Sequence, residues 1–262
     1  MLISPSQGND KWGVRYSRPK YNCACRAISL IEVMVVVAIL GVLAGLLLPA
    51  ISRAKDKRAQ MACINNIKQM VVATQLHASD NDDRLPWSNW LADDLAHGKP
   101  GWLYTINTNA VGPDRFQPET GLFWKTLGEK PQMYKCPLDH KTHPEFQNRG
   151  QQISSYVMNG AVNRYKRDGF DDFRFSDFQP EDVLFWETDE AEPRFFNDGA
   201  SRPDEGVSPR HGNGAIMGAF GGNVELVKFR DWYAEVARTN RNKLWCIPSE
   251  PDGRGPLPPI VY

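Results

Sequence analysis

Histidine and cysteine are scarce in this sequence, five of each in 262 residues, and neither falls into a spacing that spells chemistry. There is no HExxH pair and no CxxC, so the signatures of zinc enzymes and zinc ribbons are missing. His140 and His143 stand near Cys136 and Asp139, a set too small to read as a metal centre, and no metal ligand is assigned. His211, with Gly212, Asn213 and Gly214 after it, has no nucleophile motif beside it, and a catalytic base needs one. It is read as a structural hydrogen-bonding group, and no catalytic residue is assigned. Net charge is missing too: 31 Lys and Arg balance 31 Asp and Glu, so the basic footprint of a nucleic-acid binder is absent. No internal repeat is visible.

The most informative absence is local. Residues 33–48 contain no charged or polar side chain, and Glu32 stands directly before them. Extended to residues 27–51, the segment would make about 37 Å of helix, enough to cross a bilayer core of about 30 Å. A carboxylate at the end of such a span is costly unless it is paired. The remainder, with 24% charged residues over the whole chain, describes one polar domain long enough for a single core. Lys11, Arg15, Arg18, Lys20 and Arg26 against Asp10 make the first residues basic. A secretory signal peptide shares that layout, but its apolar core is shorter and leads to a small-residue cleavage site, whereas Pro49 here leads into a charged helical pattern. Arg53, Lys55, Lys57 and Arg58 follow the span almost as densely as basic residues precede it. Orientation therefore rests on the capacity of a long domain to translocate regardless of charge, which places the C-terminal domain outside.

After Pro49 a helical period continues through Ala54, Met61, Ile64, Ile67, Val71 and Ala78, and predicts one helix to about Ser79, ended by the turn formers at 80–83. Gly41, Gly45 and Pro49 would soften or bend it. The alternative is an anchor and a separate helix. Short apolar runs at 154–158, 183–186, 215–220 and 224–229 predict strands, the last two joined across Gly221-Gly222 by a two-residue hairpin turn. Residues 93–120 and 189–213 read as long loops. The expected fold class is α+β, a long N-terminal helix packed on a small antiparallel sheet. The expected organisation is a leader (1–27), an apolar helix (28–51), its amphipathic continuation (52–83), a globular head (84–247) and a Pro/Gly-rich tail (248–262) with little reason to order.

At residues 27–41 the sequence Ala-Ile-Ser-Leu-Ile-Glu-Val-Met-Val-Val-Val-Ala-Ile-Leu-Gly resembles the cleavage and methylation segment of type IV pilins and type II secretion pseudopilins. Ala27 stands where the family usually has glycine, and Ile28-Ser29 where it has Phe-Thr. The resemblance implies a pilin-like fold, cleavage after Ala27 by a prepilin peptidase and methylation of the new amino group on Ile28. It also implies assembly roles for Glu32, Gly41 and Pro49. The implied partners are the peptidase, other filament subunits, and an inner-membrane assembly platform with its ATPase. The implied location is the inner membrane, single-pass, with the head in the periplasm or outside. Glu32 would pair with the freed ammonium of Ile28 on the same or a neighbouring subunit. Further motifs, among them Tyr134-Lys-Cys-Pro-Leu-Asp, Ser155-Tyr-Val-Met-Asn-Gly and Pro209-Arg-His-Gly, resemble a pseudopilin-like subgroup common in Planctomycetes and Verrucomicrobia. That subgroup carries a histidine followed at fixed spacing by Asp-Gly; here His211 is followed at that spacing by Gly221-Gly222.

Of the five cysteines, Cys23 and Cys25 would leave with the leader. Two outcomes stay open for Cys63 and Cys136: a disulfide, worth roughly 4 kcal/mol by loop closure, or two buried free thiols. Major pseudopilins often bind calcium near the C-terminus. Asn197, Asp198, Asp204 and Glu205, and separately Asp80, Asp82 and Asp83, offer oxygen ligands, but neither group matches a calcium-loop pattern, and both read as solvated turn carboxylates. The functional expectation is a structural filament subunit without catalysis. The rival is a membrane-tethered binding domain or hydrolase that stacks sugars on Trp87, Trp90, Trp102 and Trp124, and an open groove lined by those rings would favour it.

Overall fold

The computed structural model describes residues 29–90, 98–165 and 173–255. The expected leader (1–27) and Ile28 lie outside them. The chain divides into two compact units, Met1–Ala50 and Ile51–Tyr262, and the helix α1 (Leu30–Asp80) runs from the first into the second. In the first unit every described residue is exposed. Leu30, Val36, Leu40, Leu43, Leu46 and Leu48 are at least half exposed, so the apolar surface runs all round this stretch. A helix apolar on every side has no solvated face to present to water.

In the second unit α1 buries one stripe: Ala59, Cys63, Asn66, Ile67, Met70, Val71, Ala73, Thr74 and Ala78. Spacings of three and four keep these on one face. The helix ends as expected, where Asp82 and Asp83 take left-handed backbone angles and the Asp83 amide donates to the Ala78 carbonyl at 2.8 Å.

A two-residue ribbon, β1 (Thr105–Ile106) with β2 (Phe116–Gln117), lies apart from the main sheet. The main sheet contains β3 (Tyr156–Asn159), β4 (Val183–Glu187), β5 (Ala200–Ser201), β6 (Gly214–Ala219) and β7 (Val224–Lys228), in the order β5-β3-β4-β6-β7. All pairs are antiparallel except β3 with β5, so the expected antiparallel sheet carries a parallel edge strand that arises within one of the expected loops.

Both faces of the sheet are covered. On one side Tyr156, Met158, Leu184, Phe185, Ile216 and Phe220 share a core with Cys63, Ile67, Met70 and Val71 of α1. On the other, Val157, Val183, Trp186, Ala215, Met217 and Val227 pack with Trp232 of α2 (Phe229–Val236) and with Leu244. The two-residue alternation of a strand produces this division. It breaks once, at Leu184 and Phe185, which both belong to the α1 side, where the β4–β6 register shifts between Val183 and Phe185. A bulge of this kind re-aims the side chains beyond it. Phe185 and then Glu187 consequently share the α1 face. Gly218 is required there, because a Cβ would stand 2.5 Å from Cγ2 of Ile67.

Two expectations are corrected. The β6–β7 turn is not a two-residue type: the Gly222 amide returns to the Ala219 carbonyl, the Ala219 amide takes the Asn223 carbonyl, and Gly222 has φ +89°. Phe220, Gly221 and Gly222 thus form a three-residue loop whose last residue carries the positive φ. The start of the Pro/Gly tail is also ordered through Gly255. Glu250 pairs with Arg164 at 3.1 Å, Arg254 stacks over Trp245 at 4.5 Å, and the Gly253 amide closes a turn onto the Glu250 carbonyl. Composition alone underestimated these charged anchors.

The tryptophans of the head belong to the core. Trp102 is fully buried against Phe185, Phe123 and Tyr134, and its Nε1 donates to the carbonyls of Ser88 and Gly199. Trp87 and Trp90 are 8% exposed, and Trp124 stacks on Tyr134.

Candidate functional site

Two places carry the sequence-predicted residues. The first is the start of α1. Glu32 accepts a hydrogen bond from the Ser29 amide at 2.8 Å, and the Ser29 hydroxyl accepts one from the Glu32 amide at 3.2 Å. This reciprocal pair is a capping box, and Ser29-Leu-Ile-Glu32 is its sequence signature, which the sequence reading passed over. Glu32 therefore serves as an acceptor for the backbone at the start of the helix. Gly41 has no neighbour within 4 Å of where a Cβ would stand, and Pro49 lies inside the continuous helix, where its ring removes one backbone donor.

The second place is inside the head. Cys63, on the buried stripe of α1, faces Cys136, which follows a short 3₁₀ turn at Pro131–Tyr134. Both are buried free thiols. The pairing weighed from sequence is thus present as proximity without a bond. Glu187 and His211 complete the group, and the four side chains bring ligand-type atoms within 4.8 Å of one another. His211 Nε2 lies 3.1 Å from Glu187 Oε1 and 3.6 Å from Cys136 Sγ.

Each member is held from behind. The second Glu187 oxygen accepts the Ile216 amide at 2.9 Å, and the Ser208 amide ties the loop before His211 to the Glu187 carbonyl. The Cys136 amide donates to Ser155 Oγ at 3.0 Å, and that hydroxyl donates to Asp139 at 2.7 Å. Asn66 bridges α1 to the carbonyls of Gln132 and Lys135 and to the Tyr156 hydroxyl.

The electrostatics are those of a charge-separated group. The hydrogen bond from Cys63, helped by His211, outweighs burial and brings Cys136 down to about 6, while the same bond and burial push Cys63 up. Burial disfavours the His211 cation, but its bonds to Cys136 and Glu187 prevail and raise it to about 9. Burial pushes the Glu187 carboxyl up, yet the His211 bond and the Arg210 charge hold it below the usual range.

Beside this group Asp139 accepts Arg149 at 2.9 Å and faces Arg210 at 3.5 Å, all with side chains no more than 3% exposed. Arg149 is sandwiched over Phe196 and Phe146.

The sequence reading assigned His211 a hydrogen-bonding role, and it has one. That a thiol and a carboxylate converge on the same imidazole nitrogen was not foreseen, because no nucleophile motif and no ligand spacing stands beside His211 in the sequence. The four residues come from four separate segments, so no short spacing betrays them. The one available signal was Glu187, a carboxylate closing an otherwise apolar strand. His140 and His143 take no part. Four of the carboxylates weighed for calcium are engaged by protein donors. Asp198 accepts the Ala200 amide, Glu205 accepts Ser201 Oγ and the Arg202 amide, Asp204 pairs with Arg202, and Asp83 accepts Ser176. Asp198 is buried, so it braces a turn and is not solvated as expected.

Residues 22–48 match the prokaryotic N-terminal methylation motif. No curated protein and no solved structure matches the chain. The matched stretch contains the residues on either side of the expected cut, the capping glutamate and most of the exposed apolar helix. The chain therefore carries a signal of the type IV pilin and pseudopilin type, which implies processing by a prepilin peptidase and assembly into pilus-like filaments.

Proposed function

We propose that this chain is a structural subunit of a type II secretion pseudopilus or type IV pilus-like filament. It is made as a membrane-inserted prepilin, cut after Ala27 and methylated on Ile28, with the head in the periplasm or outside and with no catalysis of its own. One observation carries the reading: a helix apolar on every side, uncovered among the described residues, begins within the matched methylation signal. Such a surface needs lipid before assembly and neighbouring helices after it. An inner-membrane platform and its ATPase would supply the work of extraction. Burial of Trp87, Trp90 and Trp102 favours this reading over a sugar-stacking head.

Fractionation of host cells tests it. The processed chain is expected in sheared or membrane-released filaments, and loss of the prepilin peptidase is expected to leave it as a longer membrane-bound precursor. Residence in the membrane alone, with the peptidase present or absent, would contradict the proposal. A second expectation concerns chemistry. Replacing His211 by Ala leaves Glu187 without its partner, which should lower stability by about 1–3 kcal/mol in denaturant melts, with no glycosidase or esterase turnover lost because none was present. A turnover abolished by that substitution in a folded protein would move the chain to the enzyme class.

A further inference from the structure

We propose that Cys63, Cys136, Glu187 and His211 form a closed, four-ligand zinc site that fastens α1 to the sheet of the head. Among the described residues this is the one group of ligating side chains gathered so tightly. Zinc takes sulfur at about 2.3 Å and nitrogen or oxygen at about 2.0–2.2 Å, so a tetrahedral site has N–O edges of about 3.4 Å and N–S edges of about 3.5 Å. The observed edges are 3.1 Å from His211 to Glu187 and 3.6 Å from His211 to Cys136.

The direction of the contacts carries more than their lengths. In a thiol–imidazole–carboxylate triad the two ring nitrogens serve different partners. Here Nε2 alone faces both the thiol and the carboxylate, as ligands facing a common centre do. The thiols are 0% and 1% exposed, which leaves a substrate no approach to the sulfur. A disulfide would use two of the four groups and leave the convergence of the other two without a role.

The surroundings also fit. Glu187 would bind through Oε1 while its other oxygen stays on the Ile216 amide, the second-sphere support that ligating carboxylates require. Two thiolates and a carboxylate around a divalent ion leave one negative charge, and the buried Arg210 guanidinium interacts with both Glu187 and Cys136. Mixed sulfur, nitrogen and oxygen donors select zinc over calcium or magnesium. His211, Leu138, Gln60, Lys57 and Arg53 line a surface cleft beside the site. Four protein ligands leave no open position, so the site is structural.

The full chain, purified in detergent with Cys23 and Cys25 replaced by serine, is reduced, stripped with a chelator and titrated with cobalt(II). The expected result is a near-ultraviolet thiolate-to-cobalt band with the visible bands of four-coordinate cobalt. Both should saturate at one metal per chain and be displaced by one zinc. Zinc should also raise the thermal midpoint above its value in chelator. That shift needs no variant and keeps the test valid if a substituted chain misfolds. Cys63→Ser and Cys136→Ser should lose the thiolate band, and Glu187→Gln should weaken binding at least tenfold. A reduced, folded chain with no thiolate–cobalt band, or one whose midpoint is the same in zinc and chelator, would overturn the proposal. So would a Cys63–Cys136 disulfide in the isolated chain that takes up no metal once reduced. None of these readouts depends on filament assembly.

Discussion

Replacing Glu32 by alanine is expected to give a chain that inserts, is cut and is methylated as usual but does not enter filaments. The carboxylate has two roles with different magnitudes. As partner in the capping box with Ser29 it supports the helix end, too small an effect to exclude a subunit from an assembly. In its proposed role as partner of the Ile28 ammonium among apolar neighbours, its loss would leave a charge unpaired in a water-poor site, the larger of the two penalties and repeated at each subunit contact. Glu32→Gln separates the two, since an amide can still accept from the Ser29 amide but carries no charge. If pairing governs assembly, both variants vanish from the filament fraction while precursor and processed forms in the membrane stay at wild-type levels. Filament incorporation of either variant at the wild-type level would show that the carboxylate is dispensable.

The second large effect is expected inside the head. Asp139 accepts hydrogen bonds from Arg149 and Ser155 and faces Arg210 at 3.5 Å, and each of the three charged side chains is at most 3% exposed. Asp139→Ala strands the buried Arg149 guanidinium and takes one carboxylate from Arg210, which keeps Glu190 at 3.6 Å and its bonds to the carbonyls of Ser155 and Thr188. Breaking a buried ion pair from one side costs about 3–5 kcal/mol, a large share of a domain's net stability of about 5–15 kcal/mol. Denaturant unfolding of the variant should show that loss, with Asp139→Asn intermediate because it keeps the Ser155 hydrogen bond. A shift below about 1 kcal/mol would mean that water reaches the arginines and the pair is not buried in solution.

What could be read from the sequence divides along a physical line. The helix from Leu30 to Asp80 was legible because its signals are local: an unbroken apolar run, then apolar residues every three or four positions, then a cluster of turn-forming aspartates. Strands β4, β6 and β7 were legible for the same reason. The turn at Phe220-Gly221-Gly222 was placed correctly but typed wrongly, since a Gly-Gly pair does not say which residue takes the positive φ. The short edge strand β5 was missed, because two residues carry no periodicity and its pairing with β3 is decided by the chain around it. The cluster in the head was legible only in pieces. Cys63 and Cys136 were brought together in thought, but Glu187 owes its orientation to a bulge in β4, and His211 reaches the group from a loop fixed by the Ser208 amide. Both are consequences of tertiary structure that spacing along the chain does not encode.

In the proposed precursor, residues up to Ala27 are a leader and the functional protein begins at Ile28. Mass spectrometry of the N-terminal peptide, from protein isolated from its host, tests it most directly. The predicted peptide starts at Ile28 and carries one methyl group on its amino nitrogen. A peptide that begins at Met1, or at a residue beyond Pro49, would contradict the account.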